Sequence, residues 1–358
     1  MNILGLVVEY NPFHEGHAGH LLKSLEISGA DTVIAVMSGN FVQRGEPAIL
    51  DKWQRTQMAL DAGVDLVIEL PLYYATASAE RFARGAVTLL EKSGLTNCLC
   101  FGSEWANIKT LQDCIVPEDE GFKARLQESL KEGLSFPRAR AKAAQFAMPD
   151  SPNNILGVQY LQALQELESD IIAYTVPRSP GSAKEIRDSL HNSGNQDYAH
   201  LNKLSSIFHY ILRTSKAAEL QEYVDLSEGL ENRLIRFAKD RMLIADIISA
   251  AKCKRYTFLR LQRSVLHIIL GITKARLAAY EAAGGPQYIR VLGFKREKAH
   301  LLRLLEERSR LPVVINLKKA RLPPLAAEML EEEIKSSKIY SLAYQDHRYL
   351  DEYTIPIR

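Results

Sequence analysis

The 358 residues comprise 46% hydrophobic and 25% charged side chains, with four cysteines and a formal net charge of +2. This is ordinary globular usage, and it excludes a collagen-like chain, a coiled coil and a wholly disordered one. No apolar run approaches the roughly 18 residues that a bilayer span needs.

The elements follow in chain order. Ile3–Val8 (ILGLVV) is a short apolar run rich in branched residues, and 32–37, Leu66–Leu70, 98–101 and 171–176 resemble it. Runs of this length read as buried parallel strands. Amphipathic segments separate them. The pattern predicts helices over 16–28, closed by Gly29, over 51–62, capped by Asp51, and over 80–92 and 154–168. Alternating strand and helix predicts an α/β fold, a Rossmann-like parallel sheet that binds its ligand at the carboxyl ends of the strands. From about Tyr198 the periodicity turns helical, over 203–223, 229–251, 257–271, 273–284 and 295–310. Gly284-Gly285-Pro286 is a break, and only a short VVIN near Val313 looks β-like. The expected division is an α/β catalytic domain over 1–195 and a mostly α-helical domain over 196–358. Within the helical half, Leu259, Leu261, Val265, Leu266 and Ile269 read as one core-facing stripe.

The small net charge hides an asymmetry. Residues 1–200 hold 17 Lys+Arg against 25 Asp+Glu, and residues 201–358 hold 28 against 18. Residues 252–321 alone hold 17 against 4. Such segregation suggests a polyanionic partner for the second half, although a solvated basic surface gives the same count. Cys98 and Cys100 are spaced for neither a CxxC pair nor a metal site, and the opening MNILGLVVEY has no secretory signature. A cytoplasmic enzyme is expected.

The most informative stretch is Asn11-Pro12-Phe13-His14-Glu15-Gly16-His17, which follows the first strand and opens the first helix. There an α/β sheet presents backbone N–H groups and a positive helix dipole to phosphate. His14 and His17 flank Gly16, and both imidazoles can hydrogen-bond phosphate oxygens. Gly16 removes the side chain where a base or ribose passes close to the backbone, and Pro12 stiffens the loop. His20 adds a third imidazole one turn on. A bare HxGH also arises by chance; the strand before it and the helix after it give it weight.

GLVVEYNPFHEGHAGHL resembles the HxGH nucleotidyltransferase superfamily. Ser182-Ala183-Lys184-Glu185-Ile186-Arg187 resembles that superfamily's S-x-x-x-I-R element, in which Ser182 caps a helix facing phosphate and Arg187 reaches it through a fork of donors. MSGNFVQRGEPAILDKWQRTQMAL, the FGSE at 101–104, SPNNILGVQYL, EGLENRL and KRYTFLRLQRSVLHIIL resemble one family over nearly the whole chain, the bacterial tRNA(Met) cytidine acetate ligases. One departure stands out: only Ser-Pro-Gly separates Arg178 from Ser182, where members carry a longer loop.

The resemblance implies an ATP-dependent ligase. It would form acetyl-adenylate and pyrophosphate from acetate and ATP, then acetylate N4 of the wobble cytidine of elongator tRNA(Met). It implies His14 and His17 as the catalytic pair. The main ATP-binding element would comprise Val7, Val8, Glu9, Tyr10, Asn11, Pro12, Phe13, His14, Glu15, Gly16, His17, Ala18, Gly19 and His20. Gly102, Asn153, Arg178, Ser182 and Arg187 would complete it. Mg²⁺ is expected with the phosphates, with no dedicated protein ligand identifiable. The loop 38–45 offers Asn40, Gln43 and Arg44 for acetate or the tRNA base. Lys252, Lys254, Arg255, Arg260 and Arg263, interleaved with Tyr256 and Phe258, suit RNA phosphates and bases. Neither DNA nor a membrane is expected as a partner. Two other readings stay open, a small-molecule adenylyl- or cytidylyltransferase of the same superfamily and a non-catalytic RNA-binding relative.

Overall fold

All five apolar runs of the first half become strands of a single sheet. In chain order the strands are β1 (Ile3–Val8), β2 (Thr32–Ser38), β3 (Phe41–Val42), β4 (Glu46–Pro47), β5 (Leu66–Leu70), β6 (Cys98–Ser103), β7 (Ile172–Pro177), β8 (Ile289–Phe294) and β9 (Val313–Val314). The computed structural model describes every residue except 116–118, 135, 145–148, 150, 179–182, 193–197, 345–351, 353–355 and 358. Seven strands form one sheet in the order β7-β6-β1-β2-β5-β8-β9, while β3 and β4 pair separately as a short antiparallel ladder. β1, β2, β5, β6 and β7 run parallel, and β8 joins β5 antiparallel. The chain winds outward from β1 through β2 to β5, then returns to place β6 on the other side of β1. The switch point therefore lies between β1 and β6, where open sheets of this kind bind ligands.

Strand alternation divides the core between the two faces of the sheet. Leu4, Leu6, Val33, Ala35, Met37 and Val67 pack beneath Leu21 and Leu60, from the helices Glu15–Ser28 and Lys52–Asp61. Ile3, Ile34, Val36, Leu66 and Ile68 share the opposite core with Phe82, Val87, Leu90, Val158 and Leu161, from the helices Ala79–Lys92 and Pro152–Glu166. Gly5 permits this approach: a Cβ there would lie 2.9 Å from a Leu90 methyl. Asp51 caps its helix as expected, accepting from the amides of Trp53 (2.8 Å) and Gln54 (2.9 Å), a contact worth about 1 kcal/mol.

The second half departs from the sequence reading in three ways. First, it is not purely helical beside the sheet: β8 crosses the expected boundary at 195 and completes the sheet. Arg290 interrupts the apolar run of IRVLGF and conceals the strand. It lies 2% exposed, with Nη1 3.0 Å from Glu69 and 2.8 Å from Glu352, and Lys52 Nζ lies 2.7 and 2.8 Å from the same two carboxylates. Second, the expected helices over 203–223 and 229–251 are each broken, into Ser205–Thr214 and Ala217–Leu220 and into Leu230–Phe237 and Ile244–Ala251. In the second gap the Met242 carbonyl meets the His209 ring at 3.1 Å instead of continuing a helix. Third, the long helix Pro324–Ser341 escaped the sequence reading because its buried face carries Glu332, Glu333, Ser336 and Ser337, which blur the apolar period. Of the expected core stripe, Leu261, Val265, Leu266 and Ile269 are buried, but Leu259 is 40% exposed, one residue into its helix.

Candidate active site

The Asn11–His17 stretch sits at the carboxyl end of β1, at the switch point. His14 is the N-cap of the Glu15–Ser28 helix, and its Nδ1 accepts from the Gly16 amide at 3.0 Å. That bond orients the ring and leaves Nε2 for a ligand. One turn later His17 lies with its ring centroid 3.8 Å from that of His14. Tyr10 and Phe13 wall His17 from the other side, at 5.0 and 5.7 Å. His17 Nδ1 is buried with no hydrogen-bond partner among the described residues. A Cβ on Gly102, in β6, would stand 3.6 Å from the His20 ring. The third imidazole and Gly102 therefore face each other across the switch point.

The electrostatics of this cluster are uniform in sign. Burial, with His14 and His20 nearby, drives the His17 pKa down to about 3. Burial and Lys23 bring His20 to about 4. Burial and Arg178 lower His14. Each imidazole is thus neutral at pH 7, chiefly through burial, with cationic neighbours adding to it at His14 (Arg178) and His20 (Lys23). An anion placed among them reverses that balance, since opposite charge favours the protonated form. Perturbed imidazoles converging on a strand end, one with an unpartnered nitrogen, mark a candidate functional site.

The surrounding loops are clamped from below. Arg55, fully buried, donates to the carbonyls of Glu9 (2.6 Å), Ser38 (3.1 Å), Leu50 (3.0 Å) and Gly39. It thereby ties the end of β1 to the end of β2. Sequence reasoning missed Arg55, because nothing in KWQR distinguishes a buried fork from a surface arginine. Asn11 is buried too, its Oδ1 accepting from the Ile49 amide at 2.8 Å. Glu9 accepts from the Gln43 amide at 2.7 Å, and its burial pushes the carboxyl up.

The other expected residues divide. Arg178 is exposed at the end of β7, and its amide donates to Ser103. Arg187 reaches the motif from its own helix, Ala183–Asn192, donating through Nη1 to the Asn11 carbonyl at 2.7 Å while Nε lies 3.5 Å from Glu46. It grips the loop rather than standing free for phosphate. Ser182 lies outside the described residues. Asn153 donates to Glu104 at 2.8 Å, and its neighbour Asn154 is wholly buried, receiving the Ser103 hydroxyl at 2.6 Å.

Asn40 is corrected as a ligand for acetate or a base. It is fully buried, donating to Ser337 Oγ (2.8 Å) and accepting from the Lys52 amide (2.9 Å), so it ties two helices together. Gln43 and Arg44 remain at the rim of the site, and Arg44 is exposed. In the basic segment, Lys252, Lys254 and Arg255 are exposed, whereas Arg260 and Arg263 are engaged. Arg260 donates to Ser227 at 2.7 Å and lies 3.6 Å from Glu228; Arg263 lies 3.1 Å from Asp225. Tyr256 is packed, its hydroxyl donating to the Glu228 carbonyl, while Phe258 is 42% exposed.

A Rossmann-like sheet with a His-x-Gly-His turn at its switch point defines a nucleotidyl transferase. The family model described as HIGH Nucleotidyl Transferase matches residues 1–191 and 180–353. Within that class the resemblance is closer. The tRNA(Met) cytidine acetate ligase of Clostridium perfringens is 37% identical over 99% of this chain and 98% of its own. The protein of the same name from Caldanaerobacter subterraneus is 36% identical, over 97% of this chain and 96% of its own. Among solved structures, Thermotoga maritima TmcAL bound with alpha-thio ATP superposes with a TM-score of 0.91 at 33% identity, covering 100% of this chain and 99% of that one. The chain belongs to the tRNA(Met) cytidine acetate ligase family of HIGH nucleotidyl transferases.

Proposed function

We propose that this protein activates acetate with ATP and transfers the acetyl group to N4 of the wobble cytidine of elongator tRNA(Met). The observation that carries the reading is the convergence of His14, His17, His20 and Arg178 at the β1–β6 switch point of a chain similar to these ligases throughout. In the first step a carboxylate oxygen of acetate attacks the α-phosphorus of ATP. The bond to the β-phosphate oxygen breaks, giving acetyl-adenylate and pyrophosphate. In the second step the N4 amine attacks the acetyl carbonyl, AMP departs and N4 loses a proton. Neither step needs a protein nucleophile. Positioning and charge stabilisation suffice.

In this reading residues 7–20 cradle ATP, with Gly102 leaving room for the nucleotide, Asn153, Arg178 and Ser182 completing the site and Arg187 holding the Asn11 loop in place. The depressed imidazoles of His14 and His17 donate hydrogen bonds where charge develops on the α-phosphate. Arg55 keeps the two strand ends in register beneath them. Gln43 and Arg44 border the place for acetate. The division of labour is ATP chemistry within residues 1–195 and RNA contact within 196–358, with β8 returned to the sheet. Mg²⁺ enters with ATP. Among the described residues no group of three His, Cys, Asp or Glu side chains is placed to hold a metal ion, and no step is assigned to it. No helix among the described residues is long and apolar enough to cross a membrane; the need for ATP and tRNA together assigns the reaction to the cytoplasm.

The test is the product. Labelled acetate, ATP and elongator tRNA(Met) should yield N4-acetylcytidine at the wobble position by mass spectrometry of digested tRNA. A product formed from a small acid and nucleotide alone, with tRNA left unmodified, would favour the small-molecule transferase instead.

A further inference from the structure

The helical half carries a cluster of arginines that the ATP chemistry does not use. Arg233, Arg236 and Arg241 lie 5.2, 5.8 and 5.3 Å from the ring centroid of Phe237. Arg233 stands one turn before Phe237 on the helix Leu230–Phe237, and Arg241 returns to the same ring from the connection beyond it. Guanidinium planes favour an aromatic face, so the ring gathers charges that would otherwise repel. Among the described residues one carboxylate pairs with the three, Asp240 on Arg241 at 2.6 Å.

The cluster is tied to the exposed basic stretch already described. Arg233 Nε donates to the Ala251 carbonyl at 2.6 Å, and Ala251 directly precedes Lys252, Lys254 and Arg255. On the other flank, the contact between His209 and the Met242 carbonyl seats the 238–243 connection against the helix that carries Tyr210, a residue 69% exposed. The arginine cluster thus adjoins the basic stretch 252–255 on one flank and the helix that carries Tyr210 on the other.

We propose that this face, centred on the Phe237 arginine cluster, is a binding surface for RNA, taking the phosphates and unstacked bases of a loop or single-stranded segment. Three under-neutralised guanidiniums complement a phosphate backbone. Arginine planes and an exposed tyrosine add stacking that unpaired bases can use. Duplex DNA and lipid headgroups offer the charge without the free bases. The proposal rests on the reading that the substrate is a tRNA, and it names where the chain grips that tRNA away from the ATP site.

The test compares wild type with Arg236→Gln/Arg241→Gln, which leaves the structural bond of Arg233 intact, and with Arg236→Lys/Arg241→Lys. Binding to elongator tRNA(Met) is measured across about 50–300 mM salt, and acetate-dependent ATP–pyrophosphate exchange is measured in parallel. The Gln variant should flatten the slope of log K against log salt by roughly 1.5 units, one phosphate contact per arginine, with exchange unchanged. The Lys variant should keep the slope and bind several-fold more weakly, since lysine keeps charge but not the stacking plane. A Gln variant with wild-type slope and affinity overturns the proposal. Competition by duplex DNA or by phosphatidylserine vesicles, as effective as tRNA at equal phosphate, overturns the assignment to RNA. Wild-type protein that binds no tRNA at any salt refutes the underlying tRNA reading and the surface with it.

Discussion

Acid should destabilise this protein through His17 and His20, and the size of the effect follows from their surroundings. An imidazole of the unfolded chain titrates near 6.5, whereas burial, with Lys23 beside His20, holds these two at about 3 and about 4 in the fold. Between those values the unfolded state binds more protons than the folded one, so stability falls as pH falls. The contribution is fully present above pH 6.5 and is lost as pH falls from there toward the folded values. For a fully shielded site the slope approaches about 1.4 kcal/mol per pH unit per histidine, and partial exposure brings this to about 1 kcal/mol. Urea unfolding at pH 7, 6 and 5 should therefore show His17→Gln losing stability less steeply than wild type, by about 1 kcal/mol per unit. Carboxylate titration is common to both proteins and cancels in the difference. Equal slopes would refute the claim that His17 is held neutral in the fold. Bound ATP should reduce the wild-type slope, because phosphate favours the protonated rings.

Three further outcomes follow from the same structure. Gly45→Ala should destabilise by more than about 2 kcal/mol in chemical denaturation, a left-handed penalty plus overpacking: its φ is +83°, and a Cβ would fall 2.5 Å from the Arg263 amide nitrogen. Arg263→Ala should lower stability by roughly 2–3 kcal/mol in the same assay, because it leaves the enclosed Asp225 carboxylate without its pair. It should leave the salt slope of tRNA binding unchanged, in contrast to the exposed Lys254 and Arg255. Acetyl-CoA in ATP-free buffer should not support tRNA acetylation, since an adenylate-forming site has no use for a thioester; acetylation under those conditions would replace the ligase reading with an acetyltransferase one.

The parts of this fold that were legible in the sequence are those governed by local rules. Branched apolar runs gave the parallel strands, Asp51 and Gly29 marked helix ends, and NPFHEGH announced its own position after β1. What stayed hidden depends on distant partners. β8 was obscured by Arg290, which is tolerated in a buried strand only because Glu69 and Glu352 meet it there. Asn40 looked available in a polar loop and proved to be an internal tie to Ser337, a residue nearly three hundred positions away. Arg55 and the Phe237 arginines carried no local signature, because a guanidinium reveals its role only through the carbonyls or ring it finds in the fold. Of the basic run 252–263, charge counting could not separate Lys252, Lys254 and Arg255, which face solvent, from Arg260 and Arg263, which are paired with acidic side chains.

The central claim is that the His14–His17 turn activates acetate as an adenylate before tRNA is involved. Pyrophosphate exchange into ATP, measured without tRNA and with acetate added, tests it most directly. The account predicts acetate-dependent exchange in the wild-type protein, falling by roughly 10²-fold or more in His17→Ala, the scale for losing one preorganised stabiliser of transition-state charge. Exchange that needs tRNA, or that persists undiminished in His17→Ala, would contradict it.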